Sequence, residues 1–95
     1  MYYKISEHKF INFEKSKRQN KMYNAVIMRK SDNKIIKIPF GDKRYENYRD
    51  KTGIDAYPHL IHGDESRRTK YKQRHKVYLR DGYWSPSHFS YYYLW

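Results

Sequence analysis

The amino-acid sequence predicts a small α+β domain, and three observations carry that reading. Two runs rich in β-branched and apolar residues, MYNAVIMRK and KIIKIPF, flank the turn formers SDNK, as in a hairpin. After Gly41 the two-residue alternation stops, and polar segments bounded by helix-start and helix-stop residues take over. A length of 95 residues provides for one hydrophobic core. The expected layout is a single domain, 1–95, with a strand-rich part over 1–40 and a helical part with an aromatic tail over 41–95. In the first part stands an amino-terminal β-hairpin or three-stranded antiparallel sheet; two or three short helices follow.

Each element has its own signal. YYKISEHKFINF predicts a strand from Tyr2 to about Ile5 that resumes from Phe10 to Phe13. EKSKRQNK, residues 14–21, lacks any apolar side chain and predicts an exposed basic connector. In the second arm of the hairpin, Ile36, Ile38 and Phe40 alternate with Lys37 and Pro39, giving one covered face and one wet face. Pro39 has no amide hydrogen, which places that strand at an edge. Asp42 is positioned to cap a helix from Lys43 to about Lys51, with Tyr45 and Tyr48 on one face and Gly53 as its stop. IDAYPHLIHG predicts irregular chain around Pro58. A second helix opens at Asp64: DESRRTKYKQRHK has acids in its first turn and Arg74, His75 and Lys76 in its last, as the helix dipole favours. VYLRDGYW predicts an extended piece with a turn at Asp81-Gly82. Ser85 then caps a last helix with Pro86 in its first position, and His88, Tyr91 or Tyr92, and Trp95 are expected along one side of it.

Composition narrows the chemistry. Apolar residues make up 38% and charged residues 33%, so burial has to lean on the rings of 12 Tyr, 4 Phe and 2 Trp. Each ring removes roughly 150–250 Å² from water, and each buried hydroxyl needs a partner. The formal charge of +11, from 21 Lys and Arg against 10 Asp and Glu, directs the chain to negative partners: acidic protein faces, nucleic acid or an anionic membrane surface. The absence of cysteine excludes disulfides and thiolate metal sites. No apolar run approaches the roughly 20 residues of a membrane span, and MYYKISEHKF has no signal-peptide stretch, so a soluble protein made in the cytoplasm is expected.

Candidate chemistry is sparse. His59-x-x-His62 has a spacing that suits one metal ion, but zinc needs three or four donors and no second paired motif supplies them. Ser85, Ser87 and Ser90 lie near His88 without the G-x-S-x-G context of a nucleophile, and read as helix caps. FGDKRYENY has one glycine and no phosphate-cradling loop. No catalytic residue, metal, cofactor or small-molecule substrate is expected, and the chain reads as a non-enzyme. Arg67, Arg68, Lys70, Lys72, Arg74 and Lys76 crowd one helix and suit phosphates, with tyrosines for stacking on unpaired bases; neither an RRM signature nor a zinc-finger spacing is present.

Three motifs carry a family resemblance: F-G-D-x-R-Y-E-x-Y at 40–48, H-G-D-x-x-R-R-x-x-Y-x-x-R-H at 62–75, and a tail with Y-W-S-P and a closing Y-L-W. Their order resembles a group of short, basic, largely uncharacterised proteins of nucleocytoplasmic large DNA viruses. The resemblance implies a minor capsid or capsid-associated protein located in the virion, whose partners are larger viral capsid proteins. On that reading Arg67, Arg68, Tyr71 and Arg74 hold a charged partner or a neighbouring element, and Trp84, Tyr92 and Trp95 anchor the tail, either on the protein's own hairpin or on a neighbour. A nucleic-acid-binding virion protein without base specificity is the alternative.

Overall fold

The run MYNAVIM becomes the central strand of a three-stranded antiparallel sheet in the computed structural model, which describes residues Met1–Trp95. The chain begins with a two-residue strand, β1 (Tyr3–Lys4), and a single 3₁₀ turn, followed by β2 (His8–Lys15), β3 (Lys21–Arg29) and β4 (Ile35–Asp42), in the order β2-β3-β4. From Met22 to Ile27 every residue of β3 is buried, which explains why that stretch reads as continuously apolar and not as an alternation. One face is covered by the end of the chain. The other is closed by polar side chains from the edges: the Asn24 amide donates to Glu14 (2.9 Å), and Lys37 Nζ lies 3.0 Å from the same carboxylate.

The covered face is set by register. Phe13 sits opposite Ala25, Tyr23 opposite Phe40, Ala25 opposite Ile38 and Ile27 opposite Ile36. Phe10 and Phe13 are three residues apart, so a regular strand would send them to opposite faces. A register shift between Phe10 and Asn12 adds one residue at Ile11, and the two rings meet on the same face with centroids 4.9 Å apart. This bulge is the cause of the imperfect alternation in the sequence. β4 is an edge strand, as Pro39 requires.

After β4 the chain runs irregularly to a 3₁₀ turn at Pro58–Leu60, then forms α1 (Glu65–His75), a short β5 (Tyr83–Trp84) and α2 (Pro86–Phe89). α2 widens into a π-helical turn, Ser90–Leu94, and β5 pairs with β1. Phe89, Leu94 and Trp95 close the core over Tyr23, Ile38 and Phe40; Phe89 stands 5.5 Å from Phe40, and Tyr93 stands 4.7 Å from Phe13. The caps at Asp64 and Ser85 form as the sequence predicts. Asp64 Oδ1 accepts from the Ser66 and Arg67 amides (2.9 and 3.2 Å), and Ser85 Oγ accepts from the His88 amide (3.2 Å). No helix is long and apolar enough to cross a membrane.

Two expectations are corrected. Residues 14–21 are not all connector: Glu14 and Lys15 extend β2, and Lys21 opens β3. Charged side chains fit there because all three lie at strand ends, where Glu14 and Lys21 stay partly exposed and Lys15 is exposed. The tight turn that remains uses Asn20 at φ 65°. The helix expected over 43–51 does not form. Asp42 accepts from the Arg44 amide (2.9 Å) in a local turn, and the backbone beyond it bonds to distant chain. The Tyr48 and Arg49 amides both donate to Leu94 O (3.0 Å each), Lys51 donates to Tyr93 O (2.9 Å), and Asn47 pairs with Ile61. Those long-range partners satisfy the amides a helix would otherwise have used.

Candidate functional site

The basic helix α1 touches the rest of the fold through a stack of rings. Its spacing puts Tyr71 and His75 one turn apart on one face. Their rings are parallel at 4.0 Å, and Trp95 lies on Tyr71 at 4.1 Å with a 4° tilt. His62 packs against Trp95 at 5.2 Å. Burial pushes the Tyr71 hydroxyl up to about 12. Burial also lowers the pKa of His75, helped by Arg74, and of His62, helped by Arg67, so both imidazoles are neutral at pH 7. At pH 7 the stack therefore favours its uncharged form.

On one flank of α1 this stack borders an open cleft of about 420 Å³. Arg67 and Arg74 form one wall, Tyr45 and Glu46 the other, with Gly41 and Trp95 also lining it. Arg67 reaches across to Glu46 (3.0 Å). At the rim Arg44 clamps Asp42 at 2.7 Å, and its hydrogen bonds hold that carboxyl at about 2. Ser90 Oγ accepts from the Gly41 amide (3.3 Å), a structural contact. The cleft is thus bordered by charges that already have partners, with Arg74 free of any ion pair.

The other flank is different. Arg68 stands 4.8 Å over the Tyr48 ring and donates from Nε to the main-chain oxygen of Trp95 (3.3 Å). Arg49 lies 5.9 Å from the same Tyr48 ring, and Lys72 Nζ sits 4.7 Å over Tyr91. Burial lowers the pKa of Lys72, and the charges of Arg68, Arg49 and Lys51 lower it further. Against these four cations stands Glu65, 3.8 Å from Arg68 and also the acceptor of the Tyr48 hydroxyl. That hydrogen bond is the main cause of the raised Tyr48 pKa.

The residues singled out from the sequence therefore separate into three groups. Arg67, Tyr71, Arg74 and Trp95 meet at the cleft. Arg68 belongs to the cationic flank. Trp84 and Tyr92 lie apart: Trp84 packs on Phe10 and Phe89 (6.2 and 6.0 Å), and Tyr92 is exposed against His88 (4.7 Å). Sequence reasoning did not single out Arg49 or Lys51, and it named Tyr48 only as part of a helix face and of the 40–48 motif, because it placed all three on a helix that does not form. The i, i+4 spacing of Arg68 and Lys72 was the available signal for this flank. No three His, Asp or Glu side chains converge as metal ligands. Comparison of the chain with protein-family models, curated proteins and solved structures found no match.

Proposed function

We propose that this protein is a non-catalytic structural component of a virus particle that binds the phosphate backbone of nucleic acid without reading bases. The viral setting follows from the resemblance carried by residues 40–48 and 62–75. The partner follows from how the molecule divides its chemistry between inside and outside. One observation carries the choice: Trp84, Phe89, Tyr93 and Trp95 of the tail pack in or against the protein's own core, whereas only five of the 21 basic side chains are ion-paired within the protein. Outward chemistry is thus mostly unopposed positive charge on a small frame, which suits a polyanion.

Such binding releases condensed counterions, so affinity falls steeply with salt. Titration of a DNA duplex and of a single strand at 50 and 200 mM salt tests it. The expected loss is on the order of 1,000-fold, with little dependence on sequence. No binding, or an affinity indifferent to salt, would overturn the reading, as would binding to phosphatidylserine vesicles without binding to either nucleic acid.

A second reading, a minor capsid component seated on larger shell proteins, is favoured by Val77, Tyr78 and Tyr92, which are 73%, 56% and 47% exposed. Apolar contacts of that kind persist in salt. Retention on isolated shell protein at 1 M salt, with no retention on DNA at 50 mM, would favour this reading over the first.

A further inference from the structure

We infer that Arg49, Lys51, Arg68 and Lys72 form a seat for a phosphate group on the flank of α1 that faces away from the cleft. The inference rests on the nucleic-acid reading for the source of that phosphate. Long cationic side chains left to themselves swing apart, since like charges repel and water solvates each separately. Here hydrogen bonds to the tail's main chain fix where three of them are rooted. The Arg49 and Lys51 amides are tied to Leu94 O and Tyr93 O (3.0 and 2.9 Å), and Arg68 is tied to Trp95 O (3.3 Å). Lys72 follows Arg68 by one helical turn, with its ammonium over Tyr91.

The arrangement suits a phosphate oxygen better than a lone carboxylate. Two guanidinium groups offer forked donors, and two ammonium groups add compact charge. Arg49 Nε is buried with no acceptor in the protein, so its guanidinium is held by packing on Tyr48 and not by an internal ion pair. Glu65 is the one side-chain carboxylate ion-paired to the group; it is 72% exposed and at 3.8 Å from Arg68, and the Tyr48 hydroxyl holds it to one side. The cleft on the opposite flank lacks this property, because Arg67 and Arg44 there are already matched to Glu46 and Asp42.

The test compares two double variants that each remove two positive charges. K51Q/K72Q empties half the seat and leaves Arg49 and Arg68 on Tyr48. K9Q/K34Q removes exposed lysines from the end of the sheet opposite Lys21 and Asp42. Duplex DNA affinity at 100 mM salt is expected to fall about tenfold further in K51Q/K72Q than in K9Q/K34Q, and its salt slope by nearly two. Equal losses would overturn the seat and leave nucleic-acid binding intact.

The native chain gives a measurement independent of folding in any variant. Titration with tripolyphosphate, followed by amide resonances, is expected to shift residues 48–51, 68–72 and 91. Absent shifts, or shifts spread over the lysines of the sheet, would overturn the seat. Localised shifts in a chain that ignores DNA would support the seat and reject the nucleic-acid reading; vesicles carrying a phosphoinositide then show whether a lipid headgroup supplies the phosphate.

Discussion

Gly41 shows how little room the closing of this fold leaves at a single residue. Its φ is +74°, and a Cβ there would come within 2.9 Å of Leu94 Cδ1 and 3.0 Å of Met22 Sδ. Gly41→Ala is expected to cost about 2–4 kcal/mol, from the left-handed backbone and from overpacking together. Gly53 has a similar φ of +85° with nothing within 4 Å, so Gly53→Ala isolates the backbone part, roughly 1–2 kcal/mol. Urea unfolding of the two variants separates the contributions; equal losses would show that Leu94 does not crowd Gly41. Buried tyrosines make a second contrast. The Tyr23 hydroxyl donates to Asp50 and accepts from the Ala56 amide (3.1 Å), and burial followed by the Asp50 hydrogen bond raises its pKa. The Tyr57 hydroxyl is buried with no partner. Tyr23→Phe should therefore cost about 1–3 kcal/mol, whereas Tyr57→Phe should be neutral or stabilising. The need for partnered tyrosines was legible in the composition, but which hydroxyl would find one depends on chain 27 or more residues away.

Among the elements, α1 is the least anchored. None of its residues is fully buried, and Tyr71 is its main ring contact with the core. Tyr71→Ala should loosen this helix alone: amide exchange over 67–75 is expected to accelerate at least tenfold while the β3 amides keep their protection. Uniform acceleration would mean that the stack supports the whole fold. Asp64→Ala, which removes the cap, should act in the same direction at about 1 kcal/mol. α1, the β3–β4 hairpin and the Ser85-Pro86 start were legible because their signals are local: a cap, a turn cluster, a period. The segment 43–51 was misread for the converse reason. Asp42, the tyrosine spacing and Gly53 imitate a helix locally, and the bonds that overrule them come from Tyr93 and Leu94. The same error hid half of the cationic flank. Arg67, Tyr71 and Arg74 could be named beforehand because a single well-capped helix carries them.

For the molecule as a whole, acid is the condition to which stability responds first. His62, His75 and His88 each have a pKa lowered chiefly by burial, from an ordinary value of 6.5. As pH falls below 6.5 the unfolded chain takes up protons before the folded one, so stability declines until the folded imidazoles also titrate. A lower Tm at pH 5 than at pH 7.5 is expected by calorimetry. Asp42 plays no part there, because its window runs from 3.8 down to about 2. A Tm unchanged across this range would contradict the lowered pKa of the three half-buried rings. The order of the elements also matters at this scale. The sheet is complete at Asp42, yet the fully buried side chains that close its ring-lined face, Phe89 and Leu94, arrive at the end of the chain. At a synthesis rate of about 5–20 residues per second, Phe10, Phe13 and Phe40 precede Phe89 by several seconds. Transiently uncovered rings of this kind are what aggregation acts on, so the yield in the cell is expected to depend on how quickly translation finishes.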